Sequence, residues 1–194
     1  MVKVEQITFA SRNNITLRDE ENKLSENIKI ANAVYEHYNQ VYLIFFKSYK
    51  SEVDLVSSIS AKNLIGMKSN QEKLRTNAAE GLLKLNEAYK GDNSCVTACQ
   101  EVLTFYQEEA EKVNVMIKFY EKNKSFNEVV ANFEKIKAKK RTQGDIDTYN
   151  NAVNEYNALS EEYNKTNEVL NKERQEQLEE WNKTIAKFTD KHVP

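Results

Sequence analysis

The stretch CQEVLTFYQEEAEKVNVMIKFY, residues 99–120, decides the fold class. Its apolar positions recur at alternating steps of four and three, and they are Cys99, Leu103, Tyr106, Ala110, Val113, Ile117 and Tyr120. This spacing places them on one side of an α-helix and is typical of a helix that packs in a bundle or a coiled coil. The period-two alternation of a half-buried strand is absent, so the stretch predicts a long amphipathic helix.

Outward from this stretch, the same spacing covers most of the chain. A first helix carries an apolar seam of Leu24, Ile28, Ala31, Tyr35, Tyr38, Tyr42, Phe45, Tyr49, Val56 and Ile59. Ser60 predicts the N-cap of a second helix, and the turn at residues 91–94 precedes the third. A second turn, at residues 142–145, precedes the fourth helix, which runs from about residue 145 to 191. A capping box from Ser125 to Glu128 predicts that the third helix stops near Asn123 and restarts.

Composition excludes most other architectures. The 194 residues include four glycines and one proline, Pro194, whereas sandwiches, barrels and α/β folds need many more turn residues. We therefore predict an all-α fold, an antiparallel four-helix bundle of long, partly coiled-coil helices. Residues 17–194 form its single domain, and residues 1–16 form a flexible N-terminal arm.

The helix lengths differ in a way that shapes the bundle. The third and fourth helices would each span roughly 65–70 Å, but the first and second only roughly 55 and 45 Å. The turn between the third and fourth helices should therefore project beyond the turn between the first two. This tip covers residues 126–149 and includes the basic residues Lys135, Lys137, Lys139, Lys140 and Arg141. The run either balances the end of a helix or contacts an anionic partner.

The two cysteines, Cys95 and Cys99, share a helix face at a spacing of four. We interpret them as small buried hydrophobic residues. The alternatives are an intrahelical disulfide and a redox pair. A single pair supplies too few ligands for a structural zinc site, so we expect no metal.

No catalytic motif is visible, and we expect neither enzymatic activity nor a cofactor. Glu-x-x-His, phosphate-binding glycine loops and the G-x-S-x-G elbow are all absent. The adjacent acid pairs are interpreted as solvated helix faces, because neighbouring positions on a helix point in different directions. These pairs are Glu108 and Glu109, Glu161 and Glu162, and Glu179 and Glu180. His37 is interpreted as a histidine at the surface or the rim of the bundle, and the alternative is a ligand or a base.

Two features suggest binding. Residues 41–46 are apolar on all sides of the first helix, so they are either the most enclosed part of that helix or an exposed patch for a partner. A slot between helices could also bind a small ligand, and its candidate lining is Tyr35, Tyr38, Tyr42, Tyr156 and Tyr163. Heptad spacing favours a core role for these rings.

The sequence also bears on partners and location. The net charge of −2 argues against nucleic-acid binding, and no apolar run is long enough to span a membrane. Residues 181–194, WNKTIAKFTDKHVP, resemble the ends of exported helical-bundle proteins of AT-rich bacteria. This resemblance implies a bacterial, extracytoplasmic location, and the alternative is the cytoplasm. We therefore expect a structural or interaction module of the cell envelope that binds another protein or itself. The alternative is a small-ligand-binding bundle.

Overall fold

The computed structural model describes residues 8–9, 11–13, 23–85 and 88–194. Four long helices make up nearly all of this part of the chain: α1 (Lys23–Ser60), α2 (Leu64–Lys84), α3 (Ser94–Lys135) and α4 (Gln143–His192). A short 3-10 turn, Ala138–Lys140, lies between α3 and α4. The described residues contain no β-strand, so the predicted all-α class is confirmed. The predicted N-terminal arm, residues 1–16, lies largely outside the described residues.

The helices follow one another up and down around the bundle. Residues on α1 pair with residues on α2 in antiparallel order, as in the 2.8 Å ion pair between Lys47 and Glu80. Helices α3 and α4 are also antiparallel, because Lys112 contacts Glu173 whereas Lys122 contacts Glu155. Helix α3 touches all three other helices, whereas α2 and α4 do not touch each other. The bundle is therefore flattened, with α3 at its centre.

The central position of α3 follows from its seam. Six of the seven predicted seam residues of α3 are buried, and the seventh, Tyr120, is half-buried. Further apolar residues on the flanks of the seam, such as Val102, Phe105 and Met116, are buried as well. Helix α3 is thus enclosed over most of its circumference from Cys95 to Ile117, and it supplies about half of the core residues.

Two predicted helix boundaries are wrong. Helix α2 begins after Asn63 and not after Ser60, because the Asn63 side chain accepts a hydrogen bond from Gly66 N at 3.1 Å. Helix α3 does not stop near Asn123. The Ser125 hydroxyl donates to the carbonyl of Lys122 within the same helix, and no glycine or proline interrupts the turn. Helix α2, with 21 residues, is also shorter than expected.

The other two turns agree with their sequence signals. Gly91 adopts a φ of +84°, in the left-handed region that glycine tolerates best. Thr142 and Asp145 form a reciprocal capping box at the start of α4: Asp145 N donates to the Thr142 hydroxyl, and Thr142 N donates to the Asp145 carboxylate. Both turns sharply reverse the chain and set the antiparallel order.

The buried face of α1 only partly matches its predicted seam. Phe45 and Ile59 of the seam are buried, but Tyr35 is 47% exposed, and Val34, Val41 and Leu55 beside the seam are buried instead. The apolar belt at residues 41–46 was expected to be either enclosed or exposed, and it is partly each. Val41 and Phe45 are buried, but Leu43 is 66% exposed.

The junction of α3 and α4 projects from the bundle as the helix lengths predicted. The first turn of α2 lies level with Glu121, where Lys68 binds the Glu121 carboxylate at 2.5 Å. No residue from 118 to 158 is buried. We call residues 122–158 the hairpin and the rest of the bundle the body. About 14 residues of α3 lie in the hairpin, a length of roughly 20 Å.

Replacing Gly81 with valine tests the close packing of the body. A Cβ at Gly81 would lie 2.9 Å from Leu103 Cδ1 and 3.1 Å from Ile44 Cγ2, so either these side chains or α2 must shift to make room for the larger residue. We expect Gly81→Val to lower the free energy of unfolding by about 1–3 kcal/mol in urea titrations. Gly144→Val is the control, because a Cβ there meets nothing closer than 3.8 Å. Equal stability of the two variants would contradict this packing.

Candidate functional site

The hairpin is held together by pairs of aromatic rings. Phe126 stacks on Tyr156 with ring centres 4.3 Å apart, and Phe133 stacks on Tyr149 at 4.4 Å. At the base, Phe119 contacts Tyr163 at 4.8 Å. The three phenylalanines on α3 and the three tyrosines on α4 each recur every seven residues, so one ring meets another at each level of the hairpin. Two helices without a buried core are thereby kept in register.

The tip of the hairpin carries unpaired positive charge. Lys135, Lys137, Lys139 and Lys140 are exposed, and none of them forms an ion pair with the described residues. Arg141 has a different role. Its guanidinium lies 4.2 Å from the centre of the Phe133 ring, and its Nε donates to the carbonyl of Ile136. Arg141 therefore holds the end of the hairpin together, whereas the four lysines are free to contact a partner.

A charged cluster lies in the middle of the body. Arg174 of α4 donates from Nε to Glu109 Oε1 at 2.8 Å, and the same Nε lies 3.1 Å from Glu52 Oε1. Glu109 is fully buried, and its second carboxylate oxygen has no hydrogen-bond partner. Burial raises the pKa of Glu109 to about 7, although Arg174 acts in the opposite direction. One arginine thus pairs with two carboxylates, Glu109 and Glu52. The second negative charge favours the protonated form of Glu109.

Both histidines lie together at the end of the body opposite to the hairpin. The His37 ring packs against Phe188 and Tyr89, and His192 also packs against Tyr89. Burial lowers the pKa of His37, and its Nε2 has no partner. His192 lies 2.9 Å from Asp92, whose pKa is lowered by hydrogen bonds from Lys191, Ser94 and His192. His37 is half-buried at this end of the body, as expected for a histidine at the rim of the bundle.

A cavity of about 430 Å³ lies beside this cluster, between α1, the end of α2 and the start of α3. Its lining combines apolar residues with two lysines and a glutamine, and includes Val41, Ile44, Leu85, Val96, Gln40, Lys84 and Lys90. None of the tyrosines proposed for a ligand slot lines it.

Those five tyrosines do not converge on one slot. Tyr35, Tyr38 and Tyr42 lie on the part of α1 next to Phe45, which stacks on Trp181. Tyr163 precedes Trp181 by 18 residues, or roughly 27 Å along α4, and Tyr156 lies farther into the hairpin. The structure thus divides the candidate set between the two ends of the molecule.

Cys95 and Cys99 are free thiols, and both are buried. Burial raises the pKa of each thiol to about 12, so little thiolate forms near neutral pH. Their burial agrees with the interpretation as small hydrophobic residues, and the disulfide and the redox pair stay predictions.

The charged cluster contains residues that sequence reasoning missed. Glu109 was interpreted as part of a solvated face, and this is wrong because it is fully buried, whereas Glu108 is exposed. The signal was the position of Arg174, which lies four residues from both Leu170 and Leu178 and therefore on the apolar side of α4. An arginine that faces a core requires an acidic partner. The sequence does not show which of the 30 acidic residues meets it.

Two further properties of the described residues bear on function. Within the described residues, no three side chains among His, Cys, Asp and Glu cluster closely enough to hold a metal ion. Among the described helices, none has the length and apolar character needed to cross a membrane.

No known protein family, curated protein or solved structure matches this chain.

Replacing Glu109 with glutamine tests the charged cluster through pH. The folded protein holds a proton on Glu109 up to about pH 7, whereas the unfolded chain releases it near pH 4.5. The resulting stability is fully present below pH 4.5 and is lost as the pH rises through 7. From pH 5 to 8, we expect the wild type to lose on the order of 2 kcal/mol of unfolding free energy relative to Glu109→Gln.

Urea titrations at several pH values measure this difference. Glu108→Gln, at the exposed neighbouring position, is the matched control and should follow the wild type. His37 has a lowered pKa and acts in the opposite direction below pH 6.5, so the comparison with Glu109→Gln is needed to isolate the buried carboxyl. Parallel pH curves for the wild type and Glu109→Gln would show that Glu109 stays ionised.

Replacing Phe133 with alanine tests the aromatic pairs of the hairpin. The variant loses the stack with Tyr149 and the contact with Arg141, so the outer hairpin should open locally. We expect backbone amides of residues 126–153 to exchange about tenfold faster, while those of residues 98–117 stay unchanged. Hydrogen exchange with mass spectrometry measures both regions. Phe133→Leu should be intermediate, and uniform exchange across the chain would argue against a separate hairpin unit.

Proposed function

We propose that this protein is a non-enzymatic structural module that binds another protein through the tip of its hairpin. The observation that carries the proposal is the hairpin itself, which extends from the body with four exposed, unpaired lysines at its end. The hairpin has no buried residue and therefore adds little to the core. We infer that its role is to contact a partner.

The shape of the hairpin supports this role. Its aromatic pairs hold α3 and α4 in one register, and Arg141 fixes the tip against Phe133. A partner therefore meets a surface that is already ordered, and binding costs less conformational entropy than it would for a flexible loop.

The charge of the tip indicates an acidic partner surface. Successive lysines are one or two positions apart in the sequence around the end of α3 and the 3-10 turn, so several of them can contact one anionic surface at once. Individual exposed ion pairs contribute little, but a cluster of like charges steers association and sets its dependence on salt. We propose the cell envelope of a bacterium as the location, on the basis of the C-terminal resemblance.

Site-specific photocrosslinking in the cells that produce the protein tests the proposal. A photoreactive residue replaces the exposed Ala138 at the tip, and the control replaces the exposed Ala186 on the body. We expect a discrete protein adduct from position 138 and none from position 186. Reversing the four tip lysines to glutamate should reduce this adduct at least tenfold, because it replaces attraction by repulsion.

A matched charge reversal completes the design. Lys62, Lys73, Lys165 and Lys187 are exposed lysines of the body, and changing them to glutamate alters the net charge equally. This control should retain the adduct. An adduct that survives reversal of the tip, or one that nuclease removes, would contradict binding of an acidic protein through the hairpin.

A further inference from the structure

Helix α1 carries an apolar stripe on its outer side. We define the α1 stripe as Leu24, Ile28, Ala31, Tyr35, Tyr38, Tyr42, Phe46, Tyr49 and Val53. It contains no charged residue. Five of its side chains remain exposed by 42–64%, and they are Leu24, Ile28, Tyr35, Phe46 and Val53. A stripe of this length on one helix exceeds the scattered apolar residues of an ordinary surface.

The stripe is separate from the core face of α1. The buried residues Val34, Val41 and Phe45 lie roughly a quarter of a turn around the helix from the exposed ones. Tyr38, Tyr42 and Tyr49 lie at the inner edge of the stripe and pack partly against the core. The stripe therefore continues the core outward along the side of α1, and its outer half has no partner among the described helices.

Eight of the nine positions of the stripe are symmetrical about a point between residues 38 and 39, and Tyr38, which would meet Asn39, is the exception. Without Tyr38, the positions read in reverse from Val53 fall at the same intervals as those read forward from Leu24. Two copies of α1 packed antiparallel about this point would place Leu24 beside Val53, Ile28 beside Tyr49, Ala31 beside Phe46 and Tyr35 beside Tyr42. Such a match is what an isologous interface with a two-fold axis requires.

The side-chain sizes favour this antiparallel order. Ala31, the smallest residue of the stripe, would meet Phe46 of the other copy. A parallel pair would instead place Ala31 against Ala31 and Phe46 against Phe46, leaving a gap at one level and crowding the other. Ridges of mixed large and small side chains interlock only in the antiparallel arrangement.

The exposed area is sufficient for such an interface. The stripe is about 44 Å long at the rise of an α-helix. Its five exposed side chains each retain roughly 100 Å² of surface, so two copies would bury on the order of 1,000 Å², the lower limit for a specific interface.

We infer that the α1 stripe is the interface of an antiparallel homodimer of this chain. The hairpin extends beyond the C-terminal end of α1, so the two hairpins of the dimer lie at opposite ends and face away from each other. This inference is independent of what the tip binds, because the stripe and the hairpin share no residue.

Sedimentation equilibrium over a roughly hundredfold range of protein concentration tests the association. We expect a species of twice the 22.5 kDa chain mass. Tyr35→Glu and Ile28→Glu each place charges in the interface and should raise the dissociation constant at least tenfold. Leu43→Glu is the matched control, since Leu43 is exposed on α1 but lies off the stripe. Circular dichroism verifies that each variant stays helical.

Single cysteines test the orientation. Asn39 lies beside the proposed two-fold axis, so Asn39→Cys should oxidise to a disulfide-linked dimer. Two copies of residue 31 would lie roughly 22 Å apart, so Ala31→Cys should not. The native thiols are buried and give no background.

Three results would overturn the inference. They are a monomer at every concentration, a dimer that only Leu43→Glu dissociates, and disulfide formation at Ala31→Cys. A monomer would leave residues 1–22 of the same chain, or a different protein, as the occupant of the stripe.

Discussion

The burial of α3 is the constraint on which the rest of the structure depends. A helix that is apolar over most of its circumference must be covered on several sides, and α3 is covered by all three other helices of the body. Helices α2 and α4 lie on opposite sides of it and do not meet. The flattened bundle, with α1 closing the remaining side, follows from this arrangement.

The same burial brings a charge into the interior. Glu109 lies in the enclosed part of α3 and is therefore fully buried, so its carboxylate needs a cation. Arg174 supplies it and also contacts Glu52 on α1, so one side chain links three helices at a single level. A buried pair of this kind contributes little net stability, but a shift of α4 along α3 would leave both partners unpaired. The cluster therefore fixes the register of α4.

The body and the hairpin are stabilised in different ways. In the body, residues such as Leu103, Val113 and Met116 are removed from water, and each contributes through its buried area. In the hairpin, two helices alone cannot enclose a core, and stacked rings of phenylalanine and tyrosine replace it. A ring covers more surface than an aliphatic side chain and lets the tyrosine hydroxyl stay near water. The hairpin can thus extend from the body without unfolding.

The sequence by itself determined the helical class, the four long helices, the turns at Gly91 and Thr142 and the projecting tip. These features depend on local periodicity, on backbone conformation and on helix length, which are properties of each segment alone. The sequence analysis placed the start of α2 too early and predicted a break in α3 at Ser125. Both errors arise because a serine side chain can either cap a helix or form a hydrogen bond within one, and its neighbours in space decide which it does. Only the tertiary structure decided which side of α1 is buried, that Glu109 pairs with Arg174, and that the five tyrosines of the proposed slot lie at two ends of the molecule. Each of these outcomes depends on the rotation and axial position of one helix against another, and a heptad pattern is compatible with more than one such arrangement.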